Sequence, residues 1–593
     1  MANDIVKCKL PYRPGAPGRA AAICSKKPGA LFGCAPFATP DLLTQSGGRV
    51  VGLAEGNNVK KAIKELLKFN IKNKEDLITA KRKIAKKYNI GILKNSDILY
   101  VETRHGASQK FPVQTRRGAS LREILRKRSI RTLSGIAPVA VLTMPYPCPG
   151  KCAYCPTEKN VPQSYLSNEP AVMRAIRCHY HPYVQVQQRL RALVANGHNP
   201  TKIEIIVIGG TWSVLPEKYK YWYVAELFRG ANEYKKNQNA KIKMQNYNAK
   251  CKTVNLKNTL LKEQKRNEKT KYKIIGLTLE TRPDYINEKE LWQMRELGCT
   301  RVELGVQAID DKILKLNKRG HGVKKIVQAT KLLKNFGFKV TYHIMPGLPG
   351  STSTKDFKMF KQLFTDERFQ PDQIKFYPTV VTKGSLLYKW WKAKKYKPYS
   401  DKTLQNLIIK CKAVIPPYVR VIRLIRDIPK ESIMAGNTIT NLRQIMKDKG
   451  VKCNCIRCRE CRDKITKIKN AKLRIRKYIA SAGLEFFISF ESKDNKTLYG
   501  FCRLRLPSKD AKLPVGSLAS WVREIHVYGE LIPLGRTGKI QHSGLGKKLL
   551  VEAENIAKKN NYNKIAIISG VGVRNYYRKF GYRLQNTYMI KIT

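Results

Sequence analysis

Between about residue 130 and residue 395, short apolar runs alternate with segments in which apolar residues recur at helical spacing. Short apolar runs predict buried strands, and their regular alternation with helices predicts an α/β fold built as a parallel barrel. In such a barrel the chemistry lies at the C-terminal ends of the strands. The predicted strands are Val139–Leu142, Ile203–Ile208, Ile274–Leu279, Arg301–Val306, Val340–Ile344 and Gln373–Phe376.

The chain before this barrel has two different patterns. Residues 1–57 are rich in Ala, Gly and Pro and predict a poorly ordered extension, although a transit peptide for an organelle stays open as an alternative. In Val59–Leu67 and Leu77–Ala85 the apolar residues recur at helical spacing. Residues 58–129 are therefore predicted to form a small, basic helical region.

Three further segments complete the predicted organisation. Residues 233–273, rich in Lys and Asn, predict a solvated helical insertion in the barrel region at 130–395. Residues 396–465 are predicted to form a linker that carries a second group of cysteines. Residues 466–593 predict a separate α/β unit, in which a strand over Trp521–Tyr528 is followed by a glycine-rich turn and a helix over Lys548–Lys559.

Composition adds information about partners. The 593 residues include 115 Lys and Arg against 43 Asp and Glu, which gives a formal net charge of +72. Such an excess indicates an extended anionic partner, with nucleic acid favoured and an acidic membrane surface as the rival. No run of about 20 apolar residues predicts a transmembrane helix. The most closely spaced of the 15 cysteines fall in two short motifs, a pattern that indicates metal sites in a reducing compartment such as the cytoplasm.

The first cysteine motif indicates the chemistry. Cys148, Cys152 and Cys155 have the spacing C-x3-C-x2-C and follow the first predicted strand. Three thiolates can ligate three irons of a 4Fe–4S cluster and leave the fourth iron open to S-adenosylmethionine. A structural zinc site is the competing interpretation, but it normally needs a fourth ligand nearby. After the second strand, Gly209 and Gly210 allow close approach of backbone to a ligand, although an ordinary tight turn would look the same.

The second motif is different in spacing. Cys453, Cys455, Cys458 and Cys461 lie within nine residues and fit a structural zinc site, with a reactive thiol cluster as the alternative.

In the C-terminal unit, Gln541-x-x-Gly544-x-Gly546 opens the predicted helix. Unpaired backbone amides at such a turn suit a pyrophosphate.

These motifs together resemble one family. The Gln-x-x-Gly-x-Gly turn and the downstream Phe580-Gly-Tyr582 are similar to those of Gcn5-related acetyltransferases, which bind coenzyme A. A radical barrel joined through cysteines to an acetyltransferase resembles the catalytic subunit of Elongator, a tRNA uridine carboxymethylating enzyme. The motifs that carry the resemblance are Cys152–Pro156, Glu169–Ile176, Ile208–Trp212, Leu279–Asp284, Val302–Gln307, His343–Gly350, Tyr377–Thr379, Val522–Gly529, Gln541–Gly546 and Ser569–Tyr577.

The resemblance implies a function and a set of residues. In that family a radical derived from S-adenosylmethionine is thought to activate the methyl group of acetyl-CoA, which adds to C5 of the wobble uridine, and thioester hydrolysis leaves 5-carboxymethyluridine. It further implies tRNA as a partner of residues 58–129, with accessory Elongator-like subunits or a homodimer left open. Implied catalytic residues are Lys202, Glu524 and Tyr577. Implied cofactor contacts are Gly209 and Gly210 to S-adenosylmethionine, and Lys202, Glu524, Ile525, His526, Val527, Gln541, Gly544, Leu545, Gly546, Lys547 and Tyr577 to acetyl-CoA.

The sequence departs from the family in two places. The first two cluster cysteines are closer together than is usual there, and Cys461 stands where the family commonly has another residue, so the fourth zinc ligand is uncertain. Two other functions stay open: a protein lysine acetyltransferase that uses only the C-terminal unit, and a scaffold that binds tRNA without catalysis. An intact cysteine triplet and an intact glycine turn argue against the scaffold.

Overall fold

The computed structural model of the protein describes residues 57–71, 73–99, 124–126, 132–234, 255–461, 471–529, 531–532 and 544–593. The chain divides into two compact units, Met1–Asn57 and Asn58–Thr593. The predicted extension at 1–57 and the predicted turn residue Gln541 lie outside the described residues, apart from Asn57 at the start of the first helix.

Two helices begin the described chain, α1 (Asn57–Leu66) and α2 (Lys74–Lys87). Asn73 caps α2 by accepting hydrogen bonds from the backbone amides of Glu75 and Asp76, at 2.8 and 2.9 Å. Such a cap satisfies amides that have no partner within the helix. Helical spacing therefore predicted both elements within a few residues of their bounds.

A seven-stranded parallel sheet forms the centre of the protein. Its strands follow chain order and each pairs in parallel with the next, so the sheet curves as a half barrel. The strands are β1 (Ala137–Leu142), β2 (Lys202–Ile208), β3 (Lys273–Thr281), β4 (Arg301–Gln307), β5 (Lys339–Ile344), β6 (Gln373–Phe376) and β8 (Arg420–Arg423). The parallel α/β fold and all six strands predicted for it are confirmed.

Helices connect these strands and cover the outer face of the sheet. They are α3 (Pro170–Arg177), α4 (Pro182–Ala195), α5 (Glu217–Asn232), α6 (Leu256–Asn267), α7 (Glu288–Glu296), α8 (Asp311–Leu316), α9 (Val323–Asn335) and α10 (Ser353–Thr365). Single turns of 3₁₀ helix lie at Trp212–Val214 and Pro283–Tyr285. Buried strands with helices on the outside explain the near-continuous apolar runs in the sequence.

The described part of the predicted insertion is solvated on one face only. Residues 235–254 are outside the described chain, but α6 packs against α5 and buries Leu256 and Leu260. The sequence did not indicate this packing because most of the other positions of α6 are polar, including buried Glu263 and Asn267.

The half barrel extends beyond residue 395, where its predicted region ends. Its seventh strand, β8, lies in the segment predicted to be a linker, and its four residues, two of them arginines, are too few to show a pattern. The same segment contains β9 (Ile433–Ala435), which pairs with β7 (Val381–Thr382) from the end of the predicted barrel region. The helix α11 (Leu386–Lys392) also precedes the segment, which further contains α12 (Asp401–Ala413), a single helical turn at Lys430–Ser432, α13 (Leu442–Asp448) and α14 (Ile456–Arg459).

The C-terminal unit is a second seven-stranded sheet, in the order β10-β11-β12-β13-β14-β16-β15. Every pair is antiparallel except β13 with β14, which is parallel. Its elements are β10 (Lys472–Ile479), β11 (Gly483–Glu491), β12 (Leu498–Pro507), β13 (Ala519–Val527), α15 (Leu545–Lys559), β14 (Lys564–Ile567), the turn Val571–Val573, α16 (Arg574–Arg578), β15 (Arg583–Gln585) and β16 (Tyr588–Ile592).

The two sheets share a hydrophobic core. Trp521, Tyr588 and Val571 of the C-terminal unit belong to the same buried cluster as the barrel strands. A Cβ atom on Gly570 would lie 2.0 Å from the carbonyl oxygen of Ile275 in β3. Since no side chain fits in that space, the turn after β14 packs backbone to backbone against the barrel.

Candidate active site

One cavity of about 1440 Å³ connects the two sheets. It is lined by the inward-facing residues of the half barrel, by the cysteine triplet at one end and by the glycine turn of the C-terminal unit at the other. Residues from the start of β2 (Lys202) and from just after its end (Gly210) both line it, so the cavity follows the barrel through its whole length. The predicted site residues that it brings together are Cys148, Cys152, Cys155, Lys202, Gly210, Glu524, Ile525, His526, Val527, Gly544, Gly546, Lys547 and Tyr577.

The cysteine triplet lies in the loop after β1. Cys148 Sγ is 3.5 Å from the Thr211 hydroxyl. Cys152 is buried, and its sulfur accepts from Arg319 Nη1 at 3.4 Å, with Arg282 Nη1 at 4.0 Å. A hydrogen bond from Cys155 lowers the pKa of the Cys152 thiol, and the positive charge of Arg319 adds to this effect against the cost of burial. Cys152 thus favours the thiolate, the form that ligates metal, whereas the hydrogen bond to Cys152 and burial raise the pKa of Cys155.

The triplet fits a metal cluster better than a single ion. A tetrahedral zinc with Zn–S bonds of about 2.3 Å holds its sulfur ligands roughly 3.8 Å apart. Among the described residues, the sulfur atoms of Cys453, Cys455 and Cys458 all lie within 4.8 Å of one another. The three sulfur atoms of the triplet are not all this close to one another. Cys152 and Cys155 are hydrogen-bonded to each other, so Cys148 is the member that lies farther away. Three thiols spread in this way along one cavity suit a larger inorganic core.

Arg319 and Arg282 are cations of the site that sequence reasoning did not select. Arg282 donates from Nη2 to the backbone oxygen of Arg319 at 2.9 Å and pairs with Asp284 at 2.8 Å. These contacts hold both guanidinium groups beside the buried sulfur of Cys152. Arg282 lies inside the Leu279–Asp284 motif, so a signal for it was present in the sequence.

The two glycines after β2 have different surroundings. Both have positive φ, 134° for Gly209 and 98° for Gly210. A Cβ on Gly209 would lie 2.2 Å from the Thr143 hydroxyl, so this glycine is required for packing of the loop. Gly210 lines the cavity, where the nearest atom to a Cβ would be the Gln163 oxygen at 3.6 Å. Gly210 is thus the one of the two that faces open space.

Charged groups occupy the middle of the barrel. Glu303 of β4 contacts His343 Nε2 at 2.8 Å and forms an ion pair with Lys375. Burial raises the pKa of the Glu303 carboxyl, but Lys375 and His343 outweigh it and hold the pKa well below the usual range. A second pair, Arg301 with Glu204, is 2.9 Å apart. A barrel interior is usually filled by apolar layers, so this polar lining distinguishes the cavity from a packed core.

The mouth of the barrel faces the C-terminal sheet. Lys202, at the start of β2, is buried, and burial lowers its pKa to about 8. Glu524 of β13 contacts Lys339 at 3.4 Å and Arg503 at 3.1 Å. Burial raises the pKa of Glu524, but these two cations outweigh it and bring the pKa to about 2. His526 completes this group, with its Nε2 atom 2.8 Å from the backbone oxygen of Ser134.

The glycine turn opens α15. Gly544, with φ 88°, is the N-cap residue and supplies no side-chain cap, so backbone amides of the first helical turn are left for another acceptor. A Cβ on Gly546 would lie 2.7 Å from the Tyr576 hydroxyl and 3.9 Å from Val527. The turn, the end of β13 and Tyr576 therefore meet at one point of the cavity.

The remaining predicted contacts of this turn differ in exposure. Lys547 is exposed, and Leu545 is buried in a hydrophobic cluster with Tyr528. Tyr577 is also buried, in the core beneath α15, where burial raises its pKa far above the usual range. Tyr576 has its hydroxyl at the turn and lines the cavity, so the structure adds it to the site.

An open strand edge leads from the turn toward the barrel. β14 pairs with β13 only from Ala519 to Val522, so the edge of residues 523–527 that faces β14 is not covered by that strand. On its other edge β13 pairs with β12 as far as Val527. A linear ligand with amide groups can add to such an edge as an extra strand.

The second cysteine group contains three members. Cys453, Cys455 and Cys458 have sulfur atoms within 4.8 Å of one another. Cys461, predicted as the fourth ligand, is not in this group: after α14 the chain joins β12, where the Cys461 amide donates to the Leu498 oxygen at 2.9 Å. The Cys461 side chain is buried in the hydrophobic cluster that contains Phe487 and Tyr499. A charged group lies beside the three sulfurs, since Lys412 Nζ is 3.9 Å from Cys458 Sγ.

Comparison with known proteins agrees with this geometry. The profile of the Radical SAM superfamily matches residues 144–360, and that of the Radical_SAM C-terminal domain matches residues 371–450. A radical barrel of this class implies a 4Fe–4S cluster and S-adenosylmethionine.

Relatives match across both sheets. The chain is 43% identical over 479 residues to "tRNA uridine(34) acetyltransferase" of Dehalococcoides mccartyi, which covers 78% of this chain and 99% of that protein. It is 37% identical over 555 residues to the human "Elongator complex protein 3", with 89% of this chain and 96% of that protein covered. The solved structure of Methanocaldococcus infernus Elp3 with an N-terminal deletion has 38% identity and a TM-score of 0.65, covering 78% of this chain and 100% of that one. The chain therefore belongs to the family of tRNA uridine(34) acetyltransferases and Elongator complex protein 3.

Proposed function

We propose that this protein uses acetyl-CoA and S-adenosylmethionine to add a carboxymethyl group to C5 of uridine 34 in tRNA. The observation that carries the proposal is the single cavity that reaches from the cysteine triplet through the barrel to the glycine turn. A radical enzyme and an acetyltransferase that worked separately would have no need of a shared interior.

The radical end of the cavity would be built by residues of the β1 and β2 loops. Cys148, Cys152 and Cys155 would hold the 4Fe–4S cluster, and Gly210 would lie beside S-adenosylmethionine. When bound, the cluster supplies the electron that cleaves S-adenosylmethionine and begins radical chemistry. Arg319 would balance the negative charge of the thiolates, since it already donates to Cys152.

The other end of the cavity would bind acetyl-CoA. The uncapped amides at Gly544 to Lys547 would donate to the pyrophosphate, because the start of a helix presents N–H groups and a positive dipole. The pantetheine arm would pair with the open edge at residues 523–527 and direct the acetyl group toward the barrel mouth. In this proposal residues 466–593 form a Gcn5-related acetyltransferase unit.

Residues at the barrel mouth would guide the acyl group inward. Lys202 and Lys339 offer N–H donors to its carbonyl oxygen, and Tyr576 or Tyr577 would donate near the turn. Glu524 is fixed by Arg503 and Lys339 and stays ionised, so we assign it to positioning of these cations rather than to proton transfer.

Two further assignments rest on charge and on thiols. We propose that Cys453, Cys455 and Cys458 hold a zinc ion with a fourth ligand from solvent or a neighbouring group, because a single ion of this type accepts tightly spaced thiolates.

We also propose that the excess of Lys and Arg, including the basic helices α1 and α2, binds the tRNA backbone. Among the described residues no helix is both long and apolar enough to cross a bilayer. Thiolate sites suit a reducing compartment, so we infer the cytoplasm.

The test is reconstitution with all components. Anaerobic protein with restored iron and sulfide is incubated with tRNA, acetyl-CoA, S-adenosylmethionine and a reductant, and the tRNA nucleosides are analysed by mass spectrometry. We expect 5-carboxymethyluridine, and its formation should require every component. Acetylation of protein lysines without reductant or S-adenosylmethionine, with no modified nucleoside, would instead support a protein acetyltransferase.

A further inference from the structure

The proposed reaction contains a step for which the residues described so far supply no base. Transfer of a carboxymethyl group from acetyl-CoA requires that the thioester C–S bond be cleaved by water. Glu524 is a poor candidate because its pKa is brought to about 2 by Lys339 and Arg503. Glu303 is similarly held ionised by Lys375 and His343.

We propose that His526 is the general base that activates water for cleavage of the acyl thioester at the mouth of the barrel. This inference rests on the proposed function and assigns one of its steps. In that step, Nδ1 of His526 takes a proton from water while the water oxygen bonds to the thioester carbon. The C–S bond then breaks and the imidazolium returns the proton to the leaving thiolate. The products are coenzyme A and a carboxylic acid, which releases its remaining proton to solvent and becomes a carboxylate.

The tautomer of His526 is fixed by its partner. Its Nε2 atom lies 2.8 Å from the backbone oxygen of Ser134, which can only accept, so Nε2 carries a hydrogen. In the neutral ring Nδ1 is then the atom with the free lone pair. A base needs this free lone pair.

Nδ1 is also accessible. No described residue forms a hydrogen bond with Nδ1. The atom is also not one of the fully buried polar atoms without a partner, so part of its surface is exposed. His526 is half-buried and lines the cavity together with Lys202 and Lys339. The free side of the ring therefore has access to the cavity interior.

The ring is held in place by aromatic neighbours. Tyr528 lies 4.4 Å away between ring centroids, and Phe501 lies nearly parallel to the ring at 6.1 Å. Fixed orientation matters because a general base must be within hydrogen-bond reach of the proton that it removes. The Ser134 contact and these rings together leave the imidazole one orientation.

The charges around His526 keep the ring neutral at physiological pH. Burial lowers its pKa, and Arg420 of β8 and Lys339 of β5 act in the same direction. Glu524 on the same strand acts against them, as does the Ser134 oxygen. The net shift is downward, so the base form predominates at neutral pH.

Its position suits the acyl group rather than the nucleotide. His526 and Glu524 lie two residues apart on β13, so their side chains share the face that meets Lys339 and Ser134 at the barrel mouth. An acyl group that leaves the open edge of β13 to enter the barrel must pass this face. The thioester would thus be within reach of His526 before or after its methyl carbon reacts.

The sharpest test replaces His526 by Gln in the full-length, cluster-loaded enzyme. The amide side chain of the H526Q variant retains an N–H donor for the Ser134 oxygen but has no titrating base. We expect release of free coenzyme A in the presence of tRNA to fall by about 10²-fold or more, the usual contribution of a general base. Iron content should stay at the wild-type level, and the affinity for acetyl-CoA, measured by calorimetry, should fall far less than the rate, because the edge at residues 523–527 would contact the ligand through its backbone.

The trapped species identifies the blocked bond. Mass spectrometry of the H526Q reaction should find coenzyme A still esterified, either as acetyl-CoA or as a coenzyme A thioester on the tRNA nucleoside. Either species supports the assignment. Release of coenzyme A by H526Q at the wild-type rate, or a loss of acetyl-CoA affinity as large as the loss of activity, would overturn it.

The wild-type enzyme provides a second measurement that needs no variant. Release of coenzyme A should be constant near neutral pH and fall about tenfold per unit below a pKa under 6.5, the ordinary value for histidine. A rate that stays flat down to about pH 4.5, some two units below that ordinary value, would overturn the proposal. If wild-type enzyme makes no 5-carboxymethyluridine at all, the proposed function fails instead, so the two failures are distinguishable.

Discussion

Arg523 and Asp372 form a bidentate ion pair across the junction of the two sheets. The Nη1 and Nη2 atoms of Arg523 in β13 donate to the two carboxylate oxygens of Asp372, at 2.7 and 2.6 Å, and both side chains are fully buried. Glu485 accepts from the same guanidinium at 2.8 Å and also contacts Arg505 at 3.1 Å. The C-terminal sheet is thus fixed to the barrel by buried ionic contacts as well as by a shared apolar core.

The first prediction concerns this junction. Arg523→Met leaves Asp372 and Glu485 buried with only part of their positive partners, and removal of one member of a buried pair costs about 3 to 5 kcal/mol. We expect a large drop in the thermal midpoint of unfolding. The control is Arg368→Met, which breaks an exposed pair with Asp366 at 2.7 Å and should leave the midpoint nearly unchanged. Equal midpoints for the two variants would show that the junction contributes no special stability.

A second prediction concerns the cysteine triplet. Replacement of Cys148, Cys152 and Cys155 by Ala should abolish iron and sulfide binding after anaerobic reconstitution, because no three thiols would remain at the barrel end of the cavity. Cys178→Ala is the matched control, since this thiol is also buried in the barrel region but lines no part of the cavity. If the triple variant still contained wild-type amounts of iron, the assignment of the cluster to these residues would be lost.

The third prediction separates Cys461 from its neighbours. Cys455→Ser should reduce the zinc content of the purified protein strongly, because Cys455 is one of three sulfurs within 4.8 Å of one another. Cys461→Ser should retain zinc and instead lower stability modestly, because it places a hydroxyl among Phe487 and Tyr499. Measurement of metal content by mass spectrometry and of unfolding by heat tests both expectations. A fall in zinc with Cys461→Ser would restore the four-cysteine site.

The outcome at Cys461 illustrates what sequence spacing can and cannot establish. The sequence pattern predicted the barrel strands, and it predicted that the cysteine triplet follows the first of them, because strand burial and loop position are local properties of the chain. The position of Cys461 depends on the pairing of Glu460 with Leu498, which no local pattern encodes.

The same limit applies to the ion pairs and to the proposed base. Asp372 and Arg523 are separated by 151 residues, and His526 and Ser134 by 392 residues. In the sequence, each of these four residues taken by itself looks like an ordinary polar residue of a strand or a loop. Their significance appears only after the two sheets have packed together, since burial converts a weak surface pair into a strong constraint.

The fourth prediction concerns tRNA. If surplus Lys and Arg side chains bind the phosphate backbone, the logarithm of the affinity should fall linearly with the logarithm of salt concentration, with a slope of several units. Fluorescence anisotropy of labelled tRNA between low and moderate salt measures this slope. Binding that does not depend on salt would contradict an electrostatic interface with tRNA.

The last prediction links the two ends of the cavity. In Gly546→Glu the new Cβ would lie 2.7 Å from the Tyr576 hydroxyl, so the side chain must displace that tyrosine or fill the turn. Its carboxylate would also repel the pyrophosphate, and like charges brought together cost several kcal/mol. We expect acetyl-CoA affinity to fall by about 10²-fold or more and 5-carboxymethyluridine to disappear, while iron content and tRNA binding persist.

The matched control is Lys548→Glu, which introduces a carboxylate on an exposed position of the same helix without adding bulk at the turn. It should retain most of the acetyl-CoA affinity. Cys152→Ala should also abolish the modified nucleoside but leave acetyl-CoA binding at the wild-type level, because the turn is built by the other sheet. Both single variants then lose the same product for different reasons. Normal synthesis of 5-carboxymethyluridine by the Gly546 variant would show that the acetyl group does not come from this turn, and the shared cavity would need another explanation.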